Sequence, residues 1–304
     1  MQYDFIPINE RKPLRWPNGK RLAIITTINF EYWDAVRDSP KPYYPGGPSI
    51  VGGDLPGNVY DNANYTWREY GQRVGVWRLF DIFDEEGVPS SCTMNAKMAL
   101  ERPQVIQAAL DRKWEIVAHN YVQSDLLTDN MFDEDKEREV IRSTLKVYED
   151  FCGFKAKGWL SSSLRSTFNT ADILAEEGLL FFTDLLNDDQ PYLIKTRSGK
   201  PLVSVSYTSE VNDFSFLRQG LGAEGGLQMF KEQFDWLYAE SEKTGKFMNV
   251  GLHPHVIGQP YRVRALRDFI RYAKQFDDVW FATREEIAAW YLKNHESHID
   301  PGMK

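Results

Sequence analysis

The sequence contains few cysteines and no pattern of metal-binding or disulfide-forming cysteines. Only Cys92 and Cys152 are present among 304 residues, and they form no Cys-x-x-Cys pair. A small secreted scaffold needs several paired cysteines, and a zinc knuckle needs clustered ones. The scarcity of cysteine excludes both classes and predicts two buried thiols in a reducing compartment.

Long apolar runs and clusters of basic residues are also missing. No stretch approaches the roughly 20 apolar residues that span a bilayer, and residues 1–21 are polar and contain three prolines, unlike a signal peptide. The formal charge is −8, from 44 acidic against 36 basic residues, without a Lys/Arg stripe. We therefore expect a cytoplasmic protein that binds a small-molecule substrate, and neither nucleic acid nor a membrane.

The chain alternates between short apolar, β-branched runs and amphipathic helical stretches. This alternation is typical of repeated βα units and a parallel sheet, and 304 residues with 42% hydrophobic content can bury one large core. We predict an α/β barrel in a single domain over residues 1–304, with residues 1–20 as an N-terminal extension. The predicted strands are residues 22–28, 91–95, 115–119, 158–161, 179–184, 202–207, 247–253 and 279–282.

Two segments interrupt the alternation, residues 34–65 and residues 187–199. The first is rich in Pro, Gly and Asn, and it carries Tyr43, Tyr44, Tyr60 and Tyr65. Loops of this length are typical of covers over a binding site, and aromatic, proline-rich loops also form contacts between subunits. We expect residues 34–65 to be a lid or an interface loop, and the sequence leaves both interpretations open.

Polar side chains follow the predicted strands at their carboxyl ends. His119 is the clearest of them, because an imidazole at the end of a buried strand faces the open side of the fold. In a parallel α/β barrel these strand ends meet at one rim. A carboxylate, two histidines and an arginine there would supply a base for water, an acid for a leaving nitrogen and an anchor for substrate charge. The candidates are Asn29, Glu31, Asn95, His119, Gln123, Ser161 to Ser163, Arg165, Asp184, Tyr207, Glu210 and His253.

These motifs, taken in order, resemble the polysaccharide deacetylase family over roughly residues 21–291. The similarity is to the branch of deacetylase-like allantoinases, cyclic imide hydrolases and cytoplasmic peptidoglycan-deacetylase-like proteins. It implies a distorted (β/α) barrel of seven or eight mostly parallel strands that hydrolyses non-peptide carbon–nitrogen bonds. The motifs are Ile28-Asn29-Phe30-Glu31, Glu69-Tyr70-Gly71-Gln72-Arg73-Val74-Gly75-Val76-Trp77, Glu115-Ile116-Val117-Ala118-His119, Gly158-Trp159, Leu252-His253-Pro254 and Gly258-Gln259-Pro260.

The chain departs from the metal-dependent members of that family at two positions. Those members place two aspartates after the first strand and two histidines four residues apart after a later one. Here Asn29 and Glu31 stand at the aspartates, and His119 and Gln123 stand at the histidines. An amide oxygen is a weak ligand for a zinc-like ion. The cofactor question stays open: Glu31, His119 and Gln123 would hold a divalent metal such as zinc if one binds, and metal-free hydrolysis is the favoured alternative.

The resemblance also implies catalytic roles. Glu31 is the first choice to orient or deprotonate water together with His119, and His253 is the general acid that protonates the leaving nitrogen. Glu69 is a second choice for the base, although an ion pair with Arg73, four residues along a helix, explains it better.

Other polar residues receive lesser roles. Ser161 lacks a Gly-x-Ser-x-Gly elbow and is a poor nucleophile candidate. His255 is predicted to be structural, and His295 and His298 are predicted to be solvated in a polar tail. Arg165 could face the site or solvent, and its orientation stays open. The predicted substrate contacts are Asn29, Gln123, Trp159 and Arg165.

Three functional hypotheses follow. The leading one is an amidohydrolase that acts on a small amide, ureide, cyclic imide or N-acetyl substrate. The second is a catalytically silent barrel of the same fold that binds a carbohydrate or small metabolite, since Asn29 and Gln123 are substitutions that decay of a metal site would produce. The third is a structural subunit. The resemblance implies a homo-oligomer, either a dimer or a tetramer.

Overall fold

The computed structural model describes residues 2–34, 49–52 and 60–298. Most of the segment predicted as a lid or interface loop, including Tyr43 and Tyr44, lies outside the described residues. Tyr60 and Tyr65 lie inside them, with ring centroids 6.1 Å apart. No helix within these ranges is long and apolar enough to cross a membrane.

A curled, mainly parallel sheet forms the centre of the fold. The described ranges contain nine strands, in the order β6-β7-β5-β4-β3-β2-β1-β8, with β9 pairing with the first half of β1. Only β6 runs antiparallel to its neighbour. The prediction of a mostly parallel, distorted βα barrel is confirmed. The strands are β1 Leu22–Phe30, β2 Ser91–Met94, β3 Glu115–Ala118, β4 Gly158–Trp159, β5 Phe181–Phe182, β6 Tyr192–Ile194, β7 Leu202–Ser204, β8 Lys246–Leu252 and β9 Val279–Phe281.

Helices follow most strands and cover the outer face of the sheet. A π-helical turn, Gly71–Gly75, joins the first two. A capping box at Thr283 opens the last helix, since the Thr283 hydroxyl and the Glu286 carboxylate each accept from the other residue's backbone N–H. The helices are α1 Asn62–Tyr70, α2 Val76–Glu86, α3 Ala96–Glu101, α4 Pro103–Asp111, α5 Glu134–Cys152, α6 Thr170–Glu176, α7 Phe214–Gln219, α8 Ala223–Glu240, α9 Val263–Ala273 and α10 Arg284–Asn294.

Two hydrophobic layers sandwich the sheet, because alternate residues of a strand point to opposite faces. Ile24 and Ile28 of β1 belong to the outer layer beneath the helices, whereas Ala23 and Ile25 belong to the inner one. Trp16 packs into the inner layer from the N-terminal extension. All nine residues of β1 are buried, so this strand anchors both layers.

The sheet is open between its two edge strands, β6 and β8. Irregular segments bridge the gap: the Phe247 N–H donates to the Asp189 carbonyl over 2.9 Å, and Asn212 forms an isolated bridge with Gly251. The prediction that residues 187–199 are entirely loop is wrong, since Tyr192–Ile194 forms β6 on the edge of the sheet. The result is a half-barrel with one open side.

Candidate active site

Strand register brings three of the predicted residues together. Phe30 pairs with Met94 and Met94 with Ala118, so the residues that follow β1 and β3 emerge at one level. On the other side of β1, Ile28 pairs with Leu252. The residues that directly follow β1, β3 and β8 are Glu31, His119 and His253. Glu31 Oε1 lies 3.7 Å from Nε2 of each histidine. All three side chains are buried.

A buried carboxylate holds His253. The Asp213 carboxylate lies 2.7 Å from Nδ1 of His253, and it also accepts from the backbone N–H groups of His253 and Ile257 at 2.7 and 3.1 Å. Phe214 stacks on the imidazole at 3.8 Å. Burial lowers the pKa of His253, but the charges of Asp213 and Glu31 and the hydrogen bond to Asp213 raise it more, to about 9. His253 is therefore an imidazolium at neutral pH.

His119 is held by a backbone carbonyl instead of a carboxylate. Its Nδ1 lies 2.6 Å from the Leu160 carbonyl, which can only accept, so Nδ1 carries a proton. In the neutral ring, Nε2 then carries a lone pair directed towards Glu31. The distance of 3.7 Å is too long for a hydrogen bond, and Nε2 is buried with no hydrogen-bond partner among the described residues. His119 presents a basic nitrogen to the site.

Glu31 supplies the negative charge between the two rings. Burial raises the pKa of this carboxyl, yet the positive charge of His253 and the contacts with both histidines outweigh it and lower the pKa to about 2. Gln72 donates to the Glu31 backbone carbonyl at 2.7 Å and fixes the chain there. Glu31 Oε2 is buried without a hydrogen-bond partner in the part of the chain that the structure describes. Glu31 is a permanent carboxylate and a weak base.

Two of the predicted substrate contacts, Asn29 and Trp159, make hydrogen bonds to other parts of the protein. Asn29 is buried, and its amide donates to the Tyr207 hydroxyl at 2.8 Å and the Leu252 carbonyl at 3.0 Å. Trp159 lies in the hydrophobic core and donates to the Ser161 hydroxyl. Both residues belong to the scaffold around the three polar groups, and their contact with substrate stays a prediction.

Gln123 and Arg165 lie on segments that follow β3 and β4. Gln123 is buried, and its Nε2 lies 3.5 Å from the Ser163 hydroxyl. The side chain of Arg165 is exposed, beside the single turn Ser162–Leu164. The structure therefore places Gln123 with the buried polar groups and Arg165 at the surface.

The structure resolves several alternatives. Glu69 pairs with Arg73 at 4.0 Å, as predicted, and more closely with Arg102 at 3.1 Å. His255 is buried between Trp33 and Trp67, with ring centroids 5.6 and 4.5 Å away. Burial and the charge of His253 keep the pKa of His255 well below its usual range, so it is neutral.

The prediction for His298 is wrong. This histidine is buried rather than solvated, and its ring nitrogens lie 2.9 Å from the Tyr291 hydroxyl and 3.1 Å from the Gln190 side-chain oxygen. The polar sequence around it gives no sign of this burial, which depends on residue 190 far along the chain.

Asp213 is the residue that sequence reasoning missed. It directly precedes the short helix α7 and is separated from His253 by 40 positions. The acidic residue considered in this region was Glu210, which is exposed. The signal in the sequence is a second carboxylate, Asp213, three residues after Glu210. It directly precedes Phe214, whose ring stacks on His253.

The donor chemistry does not suit a zinc-type ion. Such an ion takes at least three imidazole, thiolate or carboxylate ligands at about 2.0–2.3 Å. Glu31 and His119 offer two, Gln123 offers an amide, and His253 is protonated and held by Asp213. Within the described ranges no group of three or more His, Cys, Asp or Glu side chains is arranged to hold an ion.

Comparisons with known proteins identify the family. No protein-family model matches the chain. A crystal structure of a probable polysaccharide deacetylase from Pseudomonas aeruginosa PAO1 is 33% identical, with a TM-score of 0.82 over 92% of this chain and 94% of that one. Puue allantoinase is 31% identical, with a TM-score of 0.83 over 92% and 93% of the two chains. A curated Schizosaccharomyces pombe protein named "Putative polysaccharide deacetylase" is 26% identical over 92% of this chain and 93% of its own length.

The fold, the strand-end site and these similarities define a deacetylase-like half-barrel enzyme. The chain belongs to the polysaccharide deacetylase superfamily, which includes the allantoinase-like branch. It is a hydrolase of carbon–nitrogen bonds other than peptide bonds.

Proposed function

We propose that this enzyme hydrolyses a small ureide, cyclic imide or related amide, with Glu31, His119 and His253 as its catalytic residues. The observation that carries the proposal is the position of Glu31 Oε1, 3.7 Å from Nε2 of both histidines. One histidine is an acid and the other presents a lone pair. General acid–base catalysis requires such a pair of opposite protonation states.

In the first step, the attacking water binds between His119 and Glu31. Both groups are hydrogen-bond acceptors that lie too far apart to bond each other, and water has two O–H donors. As the water oxygen attacks the carbonyl carbon, its proton moves to His119 Nε2. The Glu31 carboxylate, with its pKa of about 2, stays ionised and stabilises the imidazolium that forms.

In the second step, His253 protonates the leaving nitrogen. The carbon–nitrogen bond breaks, the nitrogen takes the proton from His253 Nε2, and Asp213 continues to hold Nδ1 at 2.7 Å. The products are a carboxylic acid and an amine or amide nitrogen. Proton transfer from His119 to His253 through solvent restores the starting state. In this proposal Gln123 donates to the carbonyl oxygen, and Arg165 is an outer contact.

Turnover of defined substrates tests the proposal. Purified protein is incubated with allantoin, hydantoin, succinimide and N-acetylglucosamine, each with a chelator and with added zinc. We expect hydrolysis of at least one cyclic or ureide substrate in chelator. A double variant, Glu31→Gln with His253→Ala, should bind that substrate with similar affinity and release no product. Hydrolysis of N-acetylglucosamine alone, and only with zinc, would contradict both the substrate class and the metal-free mechanism.

A second candidate function is a silent barrel that binds a carbohydrate or small metabolite. The observation that favours it is Asn29, whose amide is fully engaged by the scaffold at the position where the family's metal-dependent members have an aspartate. The two candidates differ in one measurement. A silent barrel would bind a substrate in calorimetry without turnover. The wild type and the variant with Glu31→Gln and His253→Ala would then both release no product.

The remaining expectations concern location and assembly. We propose a cytoplasmic enzyme, since no apolar run is long enough to span a bilayer and the chain has only two cysteines. The −8 charge without a basic stripe supports binding to neither nucleic acid nor a membrane. The family resemblance supports a homo-oligomer. Sedimentation of the purified chain tests the assembly, and a single monomeric species would contradict it.

A further inference from the structure

A large cavity lies on the open side of the half-barrel, between β6 and β8. Its volume is about 1210 Å³, more than the roughly 300–1,000 Å³ of most small-molecule sites. The first half of β8 and residues 206–211 form its inner wall, and residues 3–8, residues 186–189 and β6 form its outer wall. Glu31, His119 and His253 are not among the described residues that line it. The cavity is therefore distinct from the proposed catalytic site.

An unsatisfied hydrogen-bond donor lies in the wall of this cavity. Asn249 is 5% exposed and lines the wall. Its side-chain oxygen accepts from Thr27 Oγ1 at 2.8 Å and from the Arg284 guanidinium at 2.5 Å. These two donors fix the orientation of the amide, so Nδ2 must point the other way. Nδ2 is buried and has no hydrogen-bond partner among the described residues, which is an unfavourable state for a buried donor.

A second unsatisfied polar group lines the same wall. Ser206 is 3% exposed, and its hydroxyl is also buried without a hydrogen-bond partner in the described chain. A hydroxyl can donate or accept, whereas the Asn249 amide nitrogen can only donate. A ligand that satisfies this nitrogen must carry an acceptor such as a carbonyl oxygen.

The charges on the wall are largely neutralised by one another. Arg11 pairs with Asp188 through two contacts of 2.6 and 2.8 Å, and Lys246 pairs with Glu240 at 3.0 Å. A third pair joins Lys195, the residue after β6, and Asp4 of the N-terminal segment. These pairs leave little net charge to attract an ionic ligand. Much of the remaining surface is aromatic, from Tyr3, Phe5, Tyr192, Tyr207, Phe247 and Tyr291.

We infer that this cavity is a second binding site, for an uncharged molecule with an apolar ring body and a carbonyl acceptor. The carbonyl accepts from Asn249 Nδ2, and the ring packs on the aromatic wall. Such a ligand would satisfy a buried donor that the fold leaves without a partner in the described chain. The site is independent of the proposed catalytic mechanism.

Acetophenone is a suitable probe, because it has a ring, one carbonyl and no carbon–nitrogen bond for the enzyme to cleave. Its binding to the full chain is measured by ligand-observed NMR titration. We expect saturable binding that Asn249→Asp and Ser206→Ala each weaken by about 3- to 10-fold, the effect of one lost hydrogen bond. Asn249→Asp keeps an acceptor for Thr27 and Arg284, and it replaces the donor by an oxygen of a negatively charged carboxylate, which repels a carbonyl oxygen. Ser204→Ala, which removes another buried hydroxyl outside the cavity lining, should bind like the wild type.

Comparison ligands and one further variant complete the test. Ethylbenzene lacks the acceptor and benzoate carries a charge, so both should bind more weakly than acetophenone. Glu31→Gln should leave acetophenone binding unchanged, and a loss there would place the probe in the catalytic site and overturn the inference. The inference would also be overturned if acetophenone showed no saturable binding, or if ethylbenzene bound equally well or benzoate bound more tightly. Unchanged affinity in both Ser206→Ala and Asn249→Asp would overturn it as well.

Discussion

Replacing Asp213 by asparagine tests the acid half of the mechanism with little change in shape. The Asp213 carboxylate accepts two backbone N–H groups through Oδ2, at 2.7 and 3.1 Å, and contacts His253 Nδ1 through Oδ1. In the Asp213→Asn variant the amide oxygen keeps the backbone bonds, so the NH₂ group faces Nδ1. Nδ1 must then accept and lose its proton, and His253 becomes a neutral ring with its only proton on Nε2.

The size of the effect follows from the protonation of His253. With a pKa of about 9, the imidazole is protonated in all but about 3% of molecules at pH 7.5. Without the Asp213 charge, burial dominates and takes the pKa to its ordinary value of about 6.5 or below, where about 9% or less is protonated. Population alone lowers the rate about tenfold. The remaining neutral rings are not useful acids, so we expect kcat/KM to fall by about 10²–10³-fold.

The assay compares substrates whose leaving nitrogens differ in basicity. An activated anilide needs little protonation, so D213N should affect it much less than a ureide or cyclic imide. Circular dichroism and thermal unfolding check that the variant is folded. A D213N enzyme that retains activity within about threefold of the wild type, with the same pH profile, would refute the assignment of His253 as the acid.

Four further predictions follow from the same geometry. Glu31→Gln should lower kcat by about 10²–10⁴-fold while the thermal midpoint changes little, as steady-state kinetics and calorimetry would show; undiminished turnover would contradict the role of Glu31. For the wild type, kcat/KM should decline as pH rises through about 9, because His253 must be protonated; a flat profile to pH 10 would contradict this. Gly71→Ala should destabilise the fold by about 1–3 kcal/mol in urea unfolding, because its new Cβ would lie 2.5 Å from the His255 backbone nitrogen. Gly222→Ala is the matched control, since a Cβ there meets open space and should change the free energy of unfolding much less. Dialysis against a chelator should leave kcat unchanged, and a loss that zinc restores would refute the metal-free mechanism.

Local sequence patterns predicted most of the sheet because the parallel strands are buried on both faces. Residues 22–28 and 247–253 are apolar runs whose burial requires a central position. The strand β6 gave no such signal, since it has three residues, pairs antiparallel at the sheet edge, and leaves Tyr192 and Leu193 half-buried. Its pairing with β7 is a tertiary interaction that residues 192–194 do not specify alone.

In the candidate site, too, the sequence predicts the residues that follow strands and misses a residue placed by tertiary contacts. Glu31, His119 and His253 follow strands, so the register of a parallel sheet brings them to one rim, and the sequence alone indicates this. Asp213 follows no strand. Its position depends on how the segment after β7 folds across the open side of the half-barrel, where Asn212 meets Gly251 of β8. A contact of that kind leaves no local periodicity in the sequence.

The surroundings of Asn29 explain how this site works with an amide where the family's metal-dependent members have an aspartate. The amide donates to the Leu252 carbonyl at 3.0 Å and accepts from the Thr93 hydroxyl at 3.0 Å. A carboxylate at position 29 would place an oxygen against the Leu252 carbonyl oxygen, and the two would repel each other. The groups around position 29 therefore favour an amide. The cation of the site is then the imidazolium of His253, held between Asp213 and Glu31. In the proposed mechanism the protein itself supplies this charge, and water activation and leaving-group protonation are divided between two histidines, His119 as the base and His253 as the acid.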